Sequence, residues 1–311
     1  MTESILLIIS LAACLSSGVL RKMYTNRLAG NPFANQVFNF ITSVSATIVL
    51  LCWGGFSGFS WFTFFLAIAF GVCTALQQVS MLKAMDCGPW SYTSVIIALS
   101  TLIPALSGVL IWKESLHWAQ IIGIILMVFC FLLSVDMNKE TKAASVKWLI
   151  WCVIAFLCTG FIGVMQKWHQ SSAVKLELNT FLIFAFMISS VYSLASCIVI
   201  KRNSMRNLSF KKAFFGEEKI EQSSFILKKE VILLMVIMVV TGVGCAINNK
   251  LNLYLSGIMD SAVFFPIFNG GNLVLTTVLA RVLFKEKLSY KQWIGLIIGI
   301  ISVLFLANPF A

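Results

Sequence analysis

The sequence predicts an all-α polytopic membrane protein, with about ten transmembrane helices as two inverted five-helix repeats. Three observations predict it. Of the 311 residues, 59% are apolar and 11% charged, where soluble domains carry roughly a quarter charged residues. Apolar runs of about twenty residues, the length that crosses hydrocarbon, recur throughout. Short blocks of sequence also appear twice, in the same order.

The runs place spans at 4–24, 32–53, 59–83, 89–112, 117–136, 147–168, 178–200, 229–254, 261–284 and 290–308. The stretch Lys201 to Lys229 mixes Lys and Arg with Glu217, Glu218 and Glu221, and is too polar to span. It is predicted to be a loop carrying a surface helix. Near the start, Leu11-Ala12-Ala13-Cys14 matches a lipoprotein cleavage box, but Met1 to Glu3 has no Lys or Arg. A signal peptide needs a basic start, so the first helix is expected to be retained. The nine cysteines (Cys14, Cys52, Cys73, Cys87, Cys130, Cys152, Cys158, Cys197 and Cys245) lie in or beside apolar runs without a CxxC. They are expected to be packing residues, not a disulfide framework or metal cluster.

The repeat is read from matched blocks. Trp112-Lys113-Glu114-Ser115-Leu116, running on to Gln120 and Gly123, is echoed by Phe284-Lys285-Glu286-Lys287-Leu288, with Gln292 and Gly295, at an offset of 172. Gly18-Val19-Leu20-Arg21-Lys22 matches Gly163-Val164-Met165-Gln166-Lys167 at 145. Gly71-Val72 and Gln77-Gln78 match Gly242-Val243 and Asn248-Asn249 at 171, and Met85-Asp86 recurs as Met259-Asp260. The 201–229 loop absorbs the change of offset. The domains are therefore 1–136 (first five-helix repeat), 137–146 (connecting loop) and 147–311 (second repeat, with the polar loop at 201–229). Five helices per repeat turn the second repeat upside down. Inverted repeats are a common construction of secondary transporters, with the site near the midplane.

The formal charge of +11 sits in short gaps between apolar runs. That is a membrane-flanking pattern, so no nucleic-acid partner is expected. Nineteen of the 23 Lys and Arg fall in the loops after helices 1, 3, 5, 7 and 9. By the positive-inside rule those loops are cytoplasmic and both termini are outside.

The doubled Lys-Glu-x-Leu-x-x-x-Gln-x-x-Gly block after an apolar helix resembles the EamA-type members of the drug/metabolite transporter superfamily. Lys22 and Lys167, closing helices 1 and 6, are similar to a lysine often seen there. The resemblance covers essentially the whole chain and implies the EamA-like ten-helix fold, while saying almost nothing about substrate. Such members are usually drawn with cytoplasmic termini, against the charge count here. Pro104 and Pro266 also do not occupy equivalent positions in the two halves.

Polar groups inside hydrocarbon are costly and face a cavity or another helix. The richest set is Asn248, Asn249, Lys250 and Asn252 in helix 8, with Gln77 and Gln78 as pseudo-equivalents in helix 3. The three asparagines share a face and Lys250 points elsewhere. They fit recognition of carboxylate, phosphate or hydroxyl groups, or equally hydrogen bonds between helices. In helix 9, Phe265, Asn269 and Asn272 form a stripe beside Gly270 and Gly271, fitting a cavity wall or a kinked, closely packed helix. Lys22 and Lys167 either approach the cavity or snorkel to the interface. Glu114 and Glu286, in short turns, are expected to be structural. Gly295 and Gly299 form a GxxxG pair, fitting internal packing or a homodimer.

No Asp or Glu lies deep in a predicted span, which disfavours drug-cation/proton antiport; intramembrane lysines favour anionic or zwitterionic solutes. His117 and His169 are the only histidines, and no HExxH, GxSxG or P-loop occurs, so no enzyme, cofactor or metal is expected. The expectation is a non-ATP secondary transporter exporting a small polar metabolite. It would work by alternating access in the plasma (bacterial inner) membrane, with a proton as the candidate coupling ion. The cavity is expected between helices 3, 4, 8 and 9, with helices 1 and 6. A multidrug efflux transporter is the nearer alternative, and a non-transporting scaffold or intramembrane enzyme the alternative of a different class. Epitope tags at both termini should be reached from outside intact cells if the charge count governs; access only after permeabilisation would favour the family orientation.

Overall fold

Hydrocarbon offers the peptide groups no partners, so an apolar chain satisfies them within its own helices. The computed structural model describes residues 2–28, 31–87, 97, 99–133, 146–204, 214, 224–284 and 290–307. Among the described residues there are ten α-helices, one 3-10 turn and no strand. In chain order the helices are α1 (Thr2–Arg27), α2 (Pro32–Gly54), α3 (Trp61–Cys87), α4 (Leu102–Trp112) and α5 (Trp118–Leu133). They continue as α6 (Val146–Gln170), α7 (Leu178–Ser204), α8 (Ser224–Ile258), α9 (Ser261–Phe284) and α10 (Tyr290–Ala307).

Six helices are long and apolar enough to cross a membrane, through Glu3–Tyr24, Pro32–Gly54, Trp61–Met81, Val146–Gln170, Lys175–Asn203 and Lys229–Ile258. The apolar parts at α4, α5, α9 and α10 are shorter: Leu99–Trp112, Trp118–Cys130, Ser261–Thr276 and Trp293–Leu306. Helix ends depart from the sequence reading at α4, α7 and α8. The fourth span was expected over 89–112, but Ser100 and Thr101 form a turn and α4 begins at Leu102. α7 continues to Ser204 and α8 begins at Ser224, so both helices extend into the segment expected to be loop. Lys, Arg and Glu are good helix formers, and a helix need not stop where hydrocarbon does. Lys201 and Arg202 also suit the C-terminal end of α7, where the helix dipole favours cations. The rest of the polar loop (205–213 and 215–223), residues 134–145 of the connecting region, residues 88–96 and 98 of the fourth predicted span, and 285–289 with Glu286 lie outside the described residues.

Local chemistry sets α2 clearly. Asn31 accepts hydrogen bonds from the N–H groups of Phe33 (3.0 Å) and Ala34 (3.1 Å), and Pro32 takes the first helical position, where a missing N–H costs nothing. The helix ends at Gly55, whose φ of +57° suits glycine and whose N–H returns to Leu51 O at 3.0 Å.

The chain divides into two compact units whose boundaries fall inside α1, α3 and α8 as well as after Lys175. Unit 1 comprises Met1–Leu11, Cys73–Lys175 and Asn252–Ala311. Its core joins Met127 and Cys130 of α5, Ile267 of α9 and Leu306 of α10. Small residues set the helix spacing. Gly123 faces Leu306, Gly299 faces Cys130 and Val274, and Gly160 and Gly163 of α6 receive Ile103 and Pro104 of α4. A second cluster packs Ala84, Trp148 and Cys152, with Lys83 Nζ 4.3 Å from the Trp151 ring centroid.

Unit 2 comprises Ala12–Val72 and Leu176–Leu251. Its core contains Tyr24, Phe33, Phe38, Cys197, Leu234, Ile237 and Met238. The Tyr24 hydroxyl donates to Ala34 O at 2.8 Å, and the Arg21 guanidinium lies 5.3 Å from the Phe38 ring centroid. Here α2 packs along α7. Gly71 of α3 approaches the Ala185 carbonyl of α7, and Gly242 of α8 approaches the Thr42 carbonyl of α2. A methyl group at Gly71 or Gly242 would stand 2.7 or 2.6 Å from those backbone oxygens, whereas one at Gly18 meets nothing within 4 Å. Gly71→Ala and Gly242→Ala should therefore each cost about 1–3 kcal/mol, seen as a lower Tm of purified protein. Gly18→Ala should raise Tm slightly, because alanine is the better helix former by about 0.5–1 kcal/mol.

Candidate functional site

The most closely connected polar constellation of unit 1 starts from a chain reversal. α4 ends at Lys113, whose φ of +54° is the one positive value among the described non-glycine residues. The Lys113 N–H returns to Gly108 O, and the Glu114 N–H reaches the same carbonyl at 3.1 Å, in a reversal that usually has glycine at the left-handed position. The reversal carries the Glu114 carboxylate back against Gly108, where any side chain would collide with Oε2. Oε2 accepts from the Ser261 N–H at 2.7 Å and the Ala262 N–H at 3.4 Å, the first amides of α9. Oε1 lies 2.7 Å from Lys167 Nζ, with the two side chains only 6% and 9% exposed. Lys167 also donates to Met259 O at 3.1 Å. Amides at a helix N-terminus and a cation thus converge on one carboxylate.

Sequence position alone put Glu114 in a turn and Lys167 at a helix end, and did not join them. Lys167 was expected either to approach a solute or to snorkel; its ammonium is instead buried against Glu114 and a backbone carbonyl.

The other expected site residues of unit 1 divide by partner. Asn252 is buried, and its Oδ1 accepts from Ser10 Oγ at 2.6 Å, an α1–α8 hydrogen bond. Asn269 Nδ2 donates to Phe265 O at 3.0 Å, inside its own helix. Gln77 Nε2 reaches Met81 Sδ at 3.8 Å, also in its own helix. Gln78 and Asn272 are part-buried. Phe265 is buried against Gly163 of α6. The glycines beside it serve close packing, since Gly270 meets Met127 and α9 runs unbroken through both.

In unit 2, Lys250 Nζ lies 4.2 Å from the Trp53 ring centroid, a cation–π distance. Beside it, Asn179 Nδ2 donates to Leu50 O (3.0 Å) and Gly55 O (2.9 Å), carbonyls at the end of α2. A side chain on Gly54 would meet the Asn179 amide and stand 3.7 Å from Lys250 Nζ. Asn179 Oδ1 is buried without a hydrogen-bond partner among the described residues. Asn249 Nδ2 bonds Cys245 O at 2.9 Å within α8. Asn248 and Lys22 are part-buried in this unit. The eleven expected residues are thus distributed over both units: Lys22, Asn248, Asn249 and Lys250 in unit 2 and the other seven in unit 1.

A polar stripe in unit 2 was missed by the sequence reading. Gln36, Asn39, Thr42 and Ser43 of α2 are buried, and Ser43 Oγ donates to Ser189 Oγ of α7 at 3.3 Å. Their three- and four-residue spacing inside an apolar run was the available signal.

No family model matches the chain. A protein of Haemophilus influenzae described as uncharacterized is 23% identical over 281 residues, covering 86% of this chain and 85% of that one. A solved crystal structure of a protein matches with a TM-score of 0.66 at 14% identity, covering 97% of this chain and 96% of that chain. At that identity the likeness concerns the fold alone.

Removing one partner of a buried ion pair leaves an uncompensated charge, at a cost of about 3–5 kcal/mol. Glu114→Gln and Lys167→Met should each lower Tm strongly, and the Glu114→Gln/Lys167→Met double variant should be less unstable than the two single losses added. A double-mutant cycle by thermal unfolding measures that coupling; additive losses would show that the pair contributes nothing as a pair.

Proposed function

We propose that the chain is a secondary, non-ATP transporter of a small polar metabolite and an EamA-type member of the drug/metabolite transporter superfamily. In this reading it exports its solute across the bacterial inner membrane by alternating access between two inverted five-helix repeats.

One observation carries the reading. Helices that the sequence repeat makes counterparts are packed on one another: α2 with α7, α4 with α9, and α5 with α10. Pairing of like with like is what a pseudo-twofold arrangement of two repeats requires. Lengths, apolar composition and internal polar groups agree with it. A membrane protein without a polar pathway has little reason to hold Lys250, Asn249 and the Gln36–Ser43 stripe inside apolar helices.

Lys250 is the residue through which the site favours an anionic or zwitterionic solute. Its ammonium rests on the Trp53 ring near the C-terminal end of α2, and no carboxylate neutralises it in any described ion pair. A solute carboxylate or phosphate supplies a stronger partner than an aromatic face. Among the described residues Asn249 bonds only a carbonyl of its own helix, so its amide can turn to a solute at little cost.

The test is in two stages. A panel of carboxylated and phosphorylated metabolites is first scored for thermal stabilisation of purified protein, because binding to the folded state raises Tm. The best compound is then loaded, labelled, into liposomes holding the protein alone. Wild type should exchange it, while Lys250→Ala and Asn249→Ala should lower exchange on the order of tenfold or more, as expected for loss of a charge-assisted bond. Exchange at wild-type rates in both variants would remove them from the site. Stabilisation and exchange by lipophilic cations instead would turn the reading to multidrug efflux, and no exchange of any solute would refute transport.

A further inference from the structure

We propose that Glu114 is a positioning residue that latches the first turn of α9, and that the latch opens by cap exchange with Asp260. The proposal rests on the transport reading only for its purpose; the geometry is local to unit 1.

Two carboxylates are placed to cap the same helix. Asp260 immediately precedes α9, and its backbone carbonyl accepts from the N–H groups of Val263 (3.0 Å) and Phe264 (2.8 Å). That is the N-cap position, where an Asp side chain ordinarily bonds the second or third helical N–H. Asp260 is exposed, and among the described residues no hydrogen bond engages its carboxylate. One amide it could take, that of Ala262, is instead 3.4 Å from Glu114 Oε2, which also accepts from the Ser261 N–H, 147 residues away in sequence. Helix propensity does not require the distant cap, because a local one is already in place.

The distant cap does something the local one cannot. Through Oε1 it joins Lys167 at the end of α6, and Lys167 joins Met259 just ahead of α9. Three elements are held by one buried carboxylate: the turn after α4, the end of α6 and the start of α9. Gly108 leaves room on α4 only for that carboxylate. Ser261 Oγ is buried without a partner in this closed arrangement. If Glu114 withdraws, the Ala262 N–H passes to Asp260 and is not left unsatisfied in a buried place, which would oppose opening. The two caps make two discrete states of the same helix end, the kind of bistable element through which small local changes become larger ones. α9 carries Asn269 and Asn272, so the latch sets the register of two amides of the proposed solute wall.

The test reads the latch without any solute. Ser261 is fully buried, with Glu114 lying over its N–H. In Ser261→Cys protein in lipid nanodiscs, N-ethylmaleimide labelling of position 261 is followed by peptide mass spectrometry. The native Cys152, also fully buried, serves in the same sample as the reporter of global unfolding. Labelling at 261 should run faster than at Cys152. Lys167→Met should raise it on the order of tenfold or more, and Lys167→Arg should restore near wild-type labelling. Asp260→Ala, which removes the spare cap, should slow it about fivefold. A purely structural pair predicts labelling at 261 that tracks Cys152 in every variant, and that result overturns the proposal. So does an Asp260→Ala rate equal to or above wild type, which keeps the test decisive even if Lys167→Met does not fold. A latch that behaves as stated in a protein that exchanges no solute would leave the cap exchange standing and refute transport alone.

Discussion

A peptide group left unbonded in hydrocarbon costs several kcal/mol, a constraint that the six helices long and apolar enough to cross a membrane meet within themselves. It makes the described elements helices. It also leaves association between helices little hydrophobic gain, so they are held by close approach and by polar contacts. Both appear repeatedly. Glycines meet neighbouring backbones or side chains at Gly71, Gly123, Gly160 and Gly242. Hydroxyls either bond carbonyls of their own helix, as Thr47, Thr159 and Thr241 do, or cross to a neighbour, as Ser302 does to Gly123 O at 2.7 Å. Other buried polar atoms find no such partner among the described residues, Gln36 Oε1, Thr42 Oγ1 and Asn179 Oδ1 among them.

The Lys167–Glu114 pair is the sharpest case. Burying two charges costs several kcal/mol per ion, and attraction between them does not reliably offset it. Here the carboxylate gains two helix-terminal amides as well as an ammonium. Reaching them requires a left-handed lysine at position 113, a conformation costing of order 1 kcal/mol for a residue other than glycine. A local cap at Asp260 would take the Ala262 amide without that conformation. The arrangement is better explained by what it joins than by the stability of α9.

The ten helices were legible because each rests on a run of apolar residues, a property of local sequence. Their ends were less so. α7 and α8 extend beyond the hydrophobic runs because Lys and Glu prolong a helix as readily as they solvate it. The Glu114 constellation was not legible, since neither Glu114 nor Ser261 nor Lys167 carries a local sign that the other two are neighbours. The repeat hinted at it by preserving a Lys-Glu turn and a helix-closing Lys in each half, yet a repeat records equivalence rather than contact. The α2 stripe failed for a different reason. Gln36, Asn39 and Ser43 do show a helical period, but sit in a run so apolar that its mean hydropathy hides them.

The polar amides expected to meet a solute are not equivalent once their partners are considered. Asn252 accepts a 2.6 Å bond from Ser10 across two helices and is buried; a solute taking its place would break that α1–α8 bond, whose net worth is about 0.5–1.5 kcal/mol. Asn249 and Asn269 bond carbonyls four residues back in their own helices. Those carbonyls already receive the helical N–H, so releasing the side chain leaves the backbone bonded and costs little. Lys250 is similar, because an aromatic face holds a cation less firmly than a carboxylate does. The groups whose partners cost least to give up are therefore Lys250 and Asn249 in one unit and Asn269 in the other, whereas Asn252 bonds across two helices. A solute-binding role is most consistent with groups whose protein partners are the cheapest to give up.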